Sequence, residues 1–155
     1  MKTLLRAAAT FLVLFAPIFC PILPANAEPL DMNAYRGKVV LLDFWASWCN
    51  PCRKSFPWMN AIAETMGPKG LEVIAVNVDH NRELADAFLQ NNHAEFKIVY
   101  DPSGKIAKQY AFRDMPTSFL IGKDGRVRYL HSGFCPELES QYYADIGSLL
   151  DQKAP

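Results

Sequence analysis

Two cysteines separated by two residues, Cys49 and Cys52 in Trp48-Cys49-Asn50-Pro51-Cys52, are the residues of this chain best placed to do chemistry. A thiolate that attacks a disulfide, and a second thiol that resolves the mixed disulfide, are the minimum equipment for thiol–disulfide exchange. The flanking sequence indicates where the pair sits. Val39-Val40-Leu41-Leu42-Asp43-Phe44-Trp45 is an almost unbroken apolar run of buried-strand length. Pro51 suits the first turn of a helix, where its missing N–H costs nothing. Cys49 is therefore expected at a helix N-terminus, where unpaired N–H groups and the helix dipole stabilise a thiolate and bring its pKa below the free value of about 8.5. Cys52, one turn further in, is expected to be less exposed and to act as the resolving thiol.

Other uses of the spacing fit less well. As a static disulfide, so short a loop would add little of the entropic stabilisation that longer loops give. A zinc site needs a second ligand pair, but His80, His93 and His131 are scattered and no other C-x-x-C occurs, so no metal is expected. Asp43 stands inside the apolar run, where an acid is costly unless it is paired or at work. Burial would raise its pKa and let it exchange a proton with Cys52. The alternative is an Asp43 at the sheet edge or in water.

The segment Leu42-Asp43-Phe44-Trp45-Ala46-Ser47-Trp48-Cys49-Asn50-Pro51-Cys52-Arg53 resembles the active-site segment of a thioredoxin. The chain as a whole, from about Tyr35 to Leu150, resembles the TlpA/ResA-type thioredoxins of the bacterial periplasm. Pro57 matches the proline that kinks the active-site helix in that family, Met115-Pro116-Thr117 matches its cis-proline element, and Gly133 matches the glycine before its last helix. The resemblance implies a cis bond before Pro116, with Trp48, Met115, Pro116 and Thr117 forming the substrate-docking surface. Met115's free backbone would pair with an extended substrate segment as an added strand. A trans proline at the first residue of a strand is the alternative from local sequence. Cys135, after Gly133-Phe134, would lie near the active-site face; a regulatory or metal-capturing thiol and a half-buried cysteine without a role are both open, the second being favoured.

Length fits one domain, and 16 basic residues against 16 acidic give zero formal net charge, so no electrostatic footprint for nucleic acid exists. The N-terminus has a separate character. Lys2 and Arg6 precede an apolar run from Ala7 to Phe19, and Ala25-Asn26-Ala27 offers small residues at the positions a signal peptidase reads. Residues 1–27 are expected to be a signal peptide and 28–155 a thioredoxin-like domain. A retained membrane anchor is the alternative, although Pro17, Pro21 and Pro24 interrupt the run and it is short for a bilayer span. Cys20 lacks the small residues before it that a lipoprotein site needs, and is expected to leave with the signal. Export would place the dithiol in an oxidising periplasm, where something must keep it reduced.

Apolar periodicity and turn residues predict strands at Val39–Trp45, Leu71–Val78, Ile98–Tyr100, Ser118–Ile121 and Val127–His131, and helices at Pro51–Met66, Arg82–Gln90, Lys105–Tyr110 and from Pro136 onward. Asn81 is the expected cap of the second helix, and Lys123-Asp124-Gly125 the hairpin turn. This order implies an α/β thioredoxin fold with a central mixed sheet flanked by helices. The helix between Val78 and Asp101 is the insertion that TlpA-like proteins carry. The family's usual N-terminal strand or hairpin has only Glu28 to Arg36 left to form it.

The expected function is that of an enzyme, an exported thiol–disulfide oxidoreductase acting as a protein-disulfide reductase, monomeric and without organic cofactor. The resemblance implies apocytochrome c or copper-site proteins as substrates and a membrane thiol transporter of the DsbD/CcdA type as reductant. A Cu(I) metallochaperone using the same thiolates is the alternative. A peroxidase related to peroxiredoxins is disfavoured, since no Pro-x-x-x-Thr-x-x-Cys pattern precedes Cys49.

Overall fold

A computed structural model describes residues 30–154. The expected signal segment 1–27, Cys20 and Glu28 lie outside the described residues. After a single 3-10 turn at Met32–Tyr35, the first regular element is β1 (Val39–Trp45), followed by α1 (Asn50–Met66), β2 (Leu71–Asn77), α2 (Arg82–Asn91), β3 (Lys97–Tyr100), α3 (Lys105–Tyr110), β4 (Thr117–Ile121), β5 (Val127–Ser132) and α4 (Glu139–Leu150). Among the described residues no strand precedes β1, and no helix is long and apolar enough to cross a membrane.

The sheet order is β3-β2-β1-β4-β5, with β1, β2 and β3 parallel and β4 and β5 antiparallel to their neighbours. β1 is central and every one of its residues is buried, which is why its sequence is apolar throughout instead of alternating. Alternation still decides which face each side chain serves. Val39, Leu41 and Trp45 join the core shared with Cys49, Cys52, Phe56, Met59, Tyr142 and Ile146, while Val40, Leu42 and Phe44 join the smaller core on the other face with Val99, Ile106 and Phe119. By the same period, Asp43 belongs to the face covered by α1 and α4.

Two boundaries differ from the sequence reading in a way that has a cause. The last helix does not open at Pro136: Pro136–Leu138 form a 3-10 turn with no side-chain cap, and the α-helix begins at Glu139. β2 ends at Asn77, one residue early, because Asn77 and Asp79 exchange local bonds that draw the chain out of the ladder.

Candidate active site

The β1–α1 turn places the two cysteines. Cys49 is the N-cap of α1, in extended conformation, with Pro51 in the first turn behind it. The Cys52 amide donates to Cys49 Sγ at 3.2 Å, so the sulfur takes the capping role that a serine or aspartate oxygen usually fills. The same donor would stabilise a Cys49 thiolate once the pair is reduced. The two are joined as a disulfide with a Cα–Cα distance of 5.3 Å. Cys52 is fully buried, and Cys49 is itself only 4% exposed, less open than a surface dithiol would be. Cys49 lines a cleft of about 430 Å³, walled by Trp48, Asn50 and Pro51 from the β1–α1 turn and by Phe112, Arg113, Asp114 and Met115 from the loop before β4.

A carboxylate holds the turn in place. Asp79, two residues past the end of β2, accepts from the Ser47 amide at 2.8 Å, the Ser47 hydroxyl at 3.0 Å and the Asn77 side-chain amide at 2.8 Å. It is 4% exposed, and its hydrogen bonds offset the cost of burying its charge. Trp48, next in sequence, is left 67% exposed at the rim of the cleft.

The opposite wall is the loop before β4. The Met115–Pro116 peptide is cis. Gly133, at φ +77°, a conformation that disfavours a Cβ, donates its amide to the Pro116 carbonyl at 2.8 Å. Met115 lies outside the strand ladder and, among the described residues, no hydrogen bond holds its backbone, so its N–H and C=O can pair with an incoming chain. Thr117 is buried and its hydroxyl donates to the Asp114 carbonyl at 2.5 Å. Neither Thr117 nor Pro116 is among the residues lining the cleft; they brace the wall that Met115 presents. Phe112, Arg113 and Asp114 were not singled out in the sequence. Their only signal is position, immediately before Met115-Pro116.

Asp43 is 1% exposed. Burial pushes its carboxyl up to about 7, against a partly compensating hydrogen bond from Ser118 Oγ at 2.6 Å. Its second oxygen has no partner among the described residues. Trp45 and Trp58 are core residues, packed against Phe56 and Phe88 and against Tyr142 and Phe134 respectively. Cys135 is a half-buried free thiol beside the last 3-10 turn. No group of three or more metal-ligating side chains gathers among the described residues.

Together these features provide a two-electron couple of adjacent sulfurs, one of them at a helix N-terminus, facing a cleft whose far wall offers unpaired backbone. The profile of the AhpC/TSA family matches residues 8–130. The thiol-disulfide oxidoreductase ResA of Bacillus thuringiensis subsp. konkukian is 36% identical over 102 residues, which cover 66% of this chain and 59% of that protein. ResA of Bacillus subtilis is 31% identical over 121 residues, covering 78% and 68%. Among solved structures, a chain described as a thiol:disulfide interchange protein DsbE from Chlorobium tepidum superposes with a TM-score of 0.75 at 44% identity, covering 77% of this chain and 84% of that one. The match thus spans 59% of the length of the first of these relatives, less than two thirds.

Proposed function

Because the chain belongs to the AhpC/TSA family and has a thioredoxin fold, we propose that it is an exported thiol–disulfide oxidoreductase that reduces disulfides in proteins. The observation that carries this reading is Cys49 as the cap of α1, accepting the Cys52 amide and opening on a cleft beside the unpaired backbone of Met115. In the reducing direction, the Cys49 thiolate attacks one sulfur of a substrate disulfide. A mixed disulfide forms and the other substrate sulfur leaves as a thiolate. Cys52 gives its proton to Asp43, attacks Cys49 Sγ and forms the intramolecular disulfide, releasing the second substrate thiolate. Trp48 and Met115 frame the extended substrate segment.

The substrates of this reading are cysteine pairs exposed outside the cytoplasm, such as the haem-binding cysteines of apocytochrome c or those of copper sites. The chain itself is re-reduced by a membrane thiol transporter of the DsbD/CcdA type. Export rests on the basic start, apolar run and Ala25-Asn26-Ala27 of the N-terminal segment. The test is the reduction potential of the Cys49–Cys52 pair in a thiol redox buffer, combined with Cys52→Ser. A potential near or below about −250 mV and a trapped mixed disulfide on Cys49 support a reductase. A potential near about −120 mV overturns that direction, and absence of a reversible couple overturns the redox reading and leaves a Cu(I) titration of the cysteine variants as the next experiment.

A further inference from the structure

Three buried side chains from three elements form a directed chain of hydrogen bonds beneath the dithiol helix. Tyr142 Oη on α4 donates to Ser118 Oγ on β4 at 3.1 Å, and Ser118 Oγ donates to Asp43 Oδ1 on β1 at 2.6 Å. Asp43, Ser118 and Tyr142 are 1%, 3% and 0% exposed. The direction follows from the acceptor at its end. An ionised carboxylate only accepts, so Ser118 must donate to it, and the serine oxygen is left to accept from Tyr142. Tyr142 is held by its ring, 4.7 Å from that of Trp58 and stacked at 4.0 Å on His131. Asp43 Oδ2 is fully buried and has no hydrogen-bond partner among the described residues.

We infer that Ser118, oriented by Tyr142, is a positioning residue for proton transfer: it occupies Oδ1 and so reserves Oδ2 as the oxygen that takes the proton of Cys52. This rests on the assignment of Asp43 as the proton partner of the dithiol. In the step concerned, the Cys52 S–H bond breaks and its proton goes to Oδ2. The electron pair left on Cys52 Sγ forms the bond to Cys49 Sγ, and the bond between Cys49 and substrate sulfur breaks, its pair leaving on the substrate thiolate. Ser118 can donate to Oδ1 before and after the transfer, so no hydrogen bond has to be exchanged while the proton moves.

The groups around Asp43 leave this serine as its main electrostatic support. β2 sets Ala75 beside it and contributes no titratable side chain on that face. α4 contributes Tyr142, whose hydroxyl burial pushes up and keeps neutral, and Asp145 one turn on. β5 contributes His131, opposite Ser118 in the ladder, with Nε2 3.1 Å from Asp145 Oδ2 though not in hydrogen-bond geometry. Burial lowers the His131 pKa, outweighing the opposing pull of Asp145, and so favours the neutral ring. α1 contributes the two cysteines.

The test is the titration of Asp43 by carboxyl-carbon NMR in the purified reduced protein, alongside the pH dependence of its rate of disulfide reduction. A hydrogen bond to a charged acceptor is removed in Ser118→Ala, so the Asp43 midpoint should rise by about one pH unit and the rate at pH 7 fall about fivefold. Tyr142→Phe should move both in the same direction by less, and Ser118→Thr, which keeps a hydroxyl, should restore both. An Asp43 midpoint unchanged by Ser118→Ala overturns the inference, even where Asp43→Asn abolishes the inflection in the rate. If Asp43→Asn leaves the rate profile intact, the proton role of Asp43 itself is wrong and the inference falls with it.

Discussion

Replacing Asp43 by asparagine should make the protein more pH-tolerant, and the size of the effect follows from burial. The carboxyl is held up to about 7 in the folded chain, against 3.8 when solvated. A carboxyl with a raised native pKa binds its proton more tightly in the folded state than in the unfolded state. Its stabilising contribution is therefore complete below the unfolded value and is lost as pH rises toward the folded one. Each pH unit in that window changes stability by about 1.4 kcal/mol, so the loss between pH 4.5 and 7.5 is about 3 kcal/mol. Asp43→Asn removes the titration while keeping the shape and an oxygen for Ser118. Urea unfolding of the oxidised protein and of Asp43→Asn at matched pH isolates the effect, because every other titrating group cancels in the difference. The variant should gain about 3 kcal/mol on the parent between pH 4.5 and 7.5, with a flat difference above that. Whatever the amide costs by leaving its NH₂ unpaired is constant with pH and shifts only the baseline. Parallel stability curves, with a pH-independent difference, would refute the claim that Asp43 is buried with a raised pKa.

Asp79→Ala leaves the Ser47 amide, the Ser47 hydroxyl and the Asn77 amide without their common acceptor, and should destabilise the protein by about 2 to 3 kcal/mol, read as a lower urea midpoint at unchanged m. Trp48→Ala should change stability by less than about 0.5 kcal/mol because the ring is 67% exposed, while kcat/KM for a protein disulfide falls about tenfold and that for a small disulfide holds. Equal losses on both substrates would mean that Trp48 serves the sulfur chemistry instead of docking.

The elements around the dithiol were legible because their signals are local. β1 has its predicted bounds since a strand buried on both faces needs an unbroken apolar run, and Pro51 located the start of α1 to within one residue. Asp43 stood out as a charge in that run. The cleft's far wall did not, because Phe112 to Asp114 sit in an aperiodic loop whose position depends on β4. Ser118 and Tyr142 were invisible as a pair. They are brought together with Asp43 across sequence separations of 24 and 75 residues, and in a helix a tyrosine whose ring fills the core carries no local sign that its hydroxyl has a partner. Asp79 was missed for a related reason: its partner Ser47 lies 32 residues upstream, and only the Asn77-Val78-Asp79 step marks a chain leaving its ladder.

The central position of β1 also bears on how the chain reaches its native state. β1 is the first strand to be synthesised among the described residues, yet it is enclosed only when β4 arrives, so that Asp43 meets a residue 75 positions later. Until then Val39–Trp45, the most apolar strand in the sheet, has one edge without a neighbour and no layer of α4 above it. Contacts of such range slow folding and lengthen the life of sticky intermediates. The charge that Asp43 places in the middle of this run works against strand-to-strand aggregation during that interval, a service it can render only while unfolded and solvated. The residue that burdens the finished core at neutral pH thus protects the unfinished one.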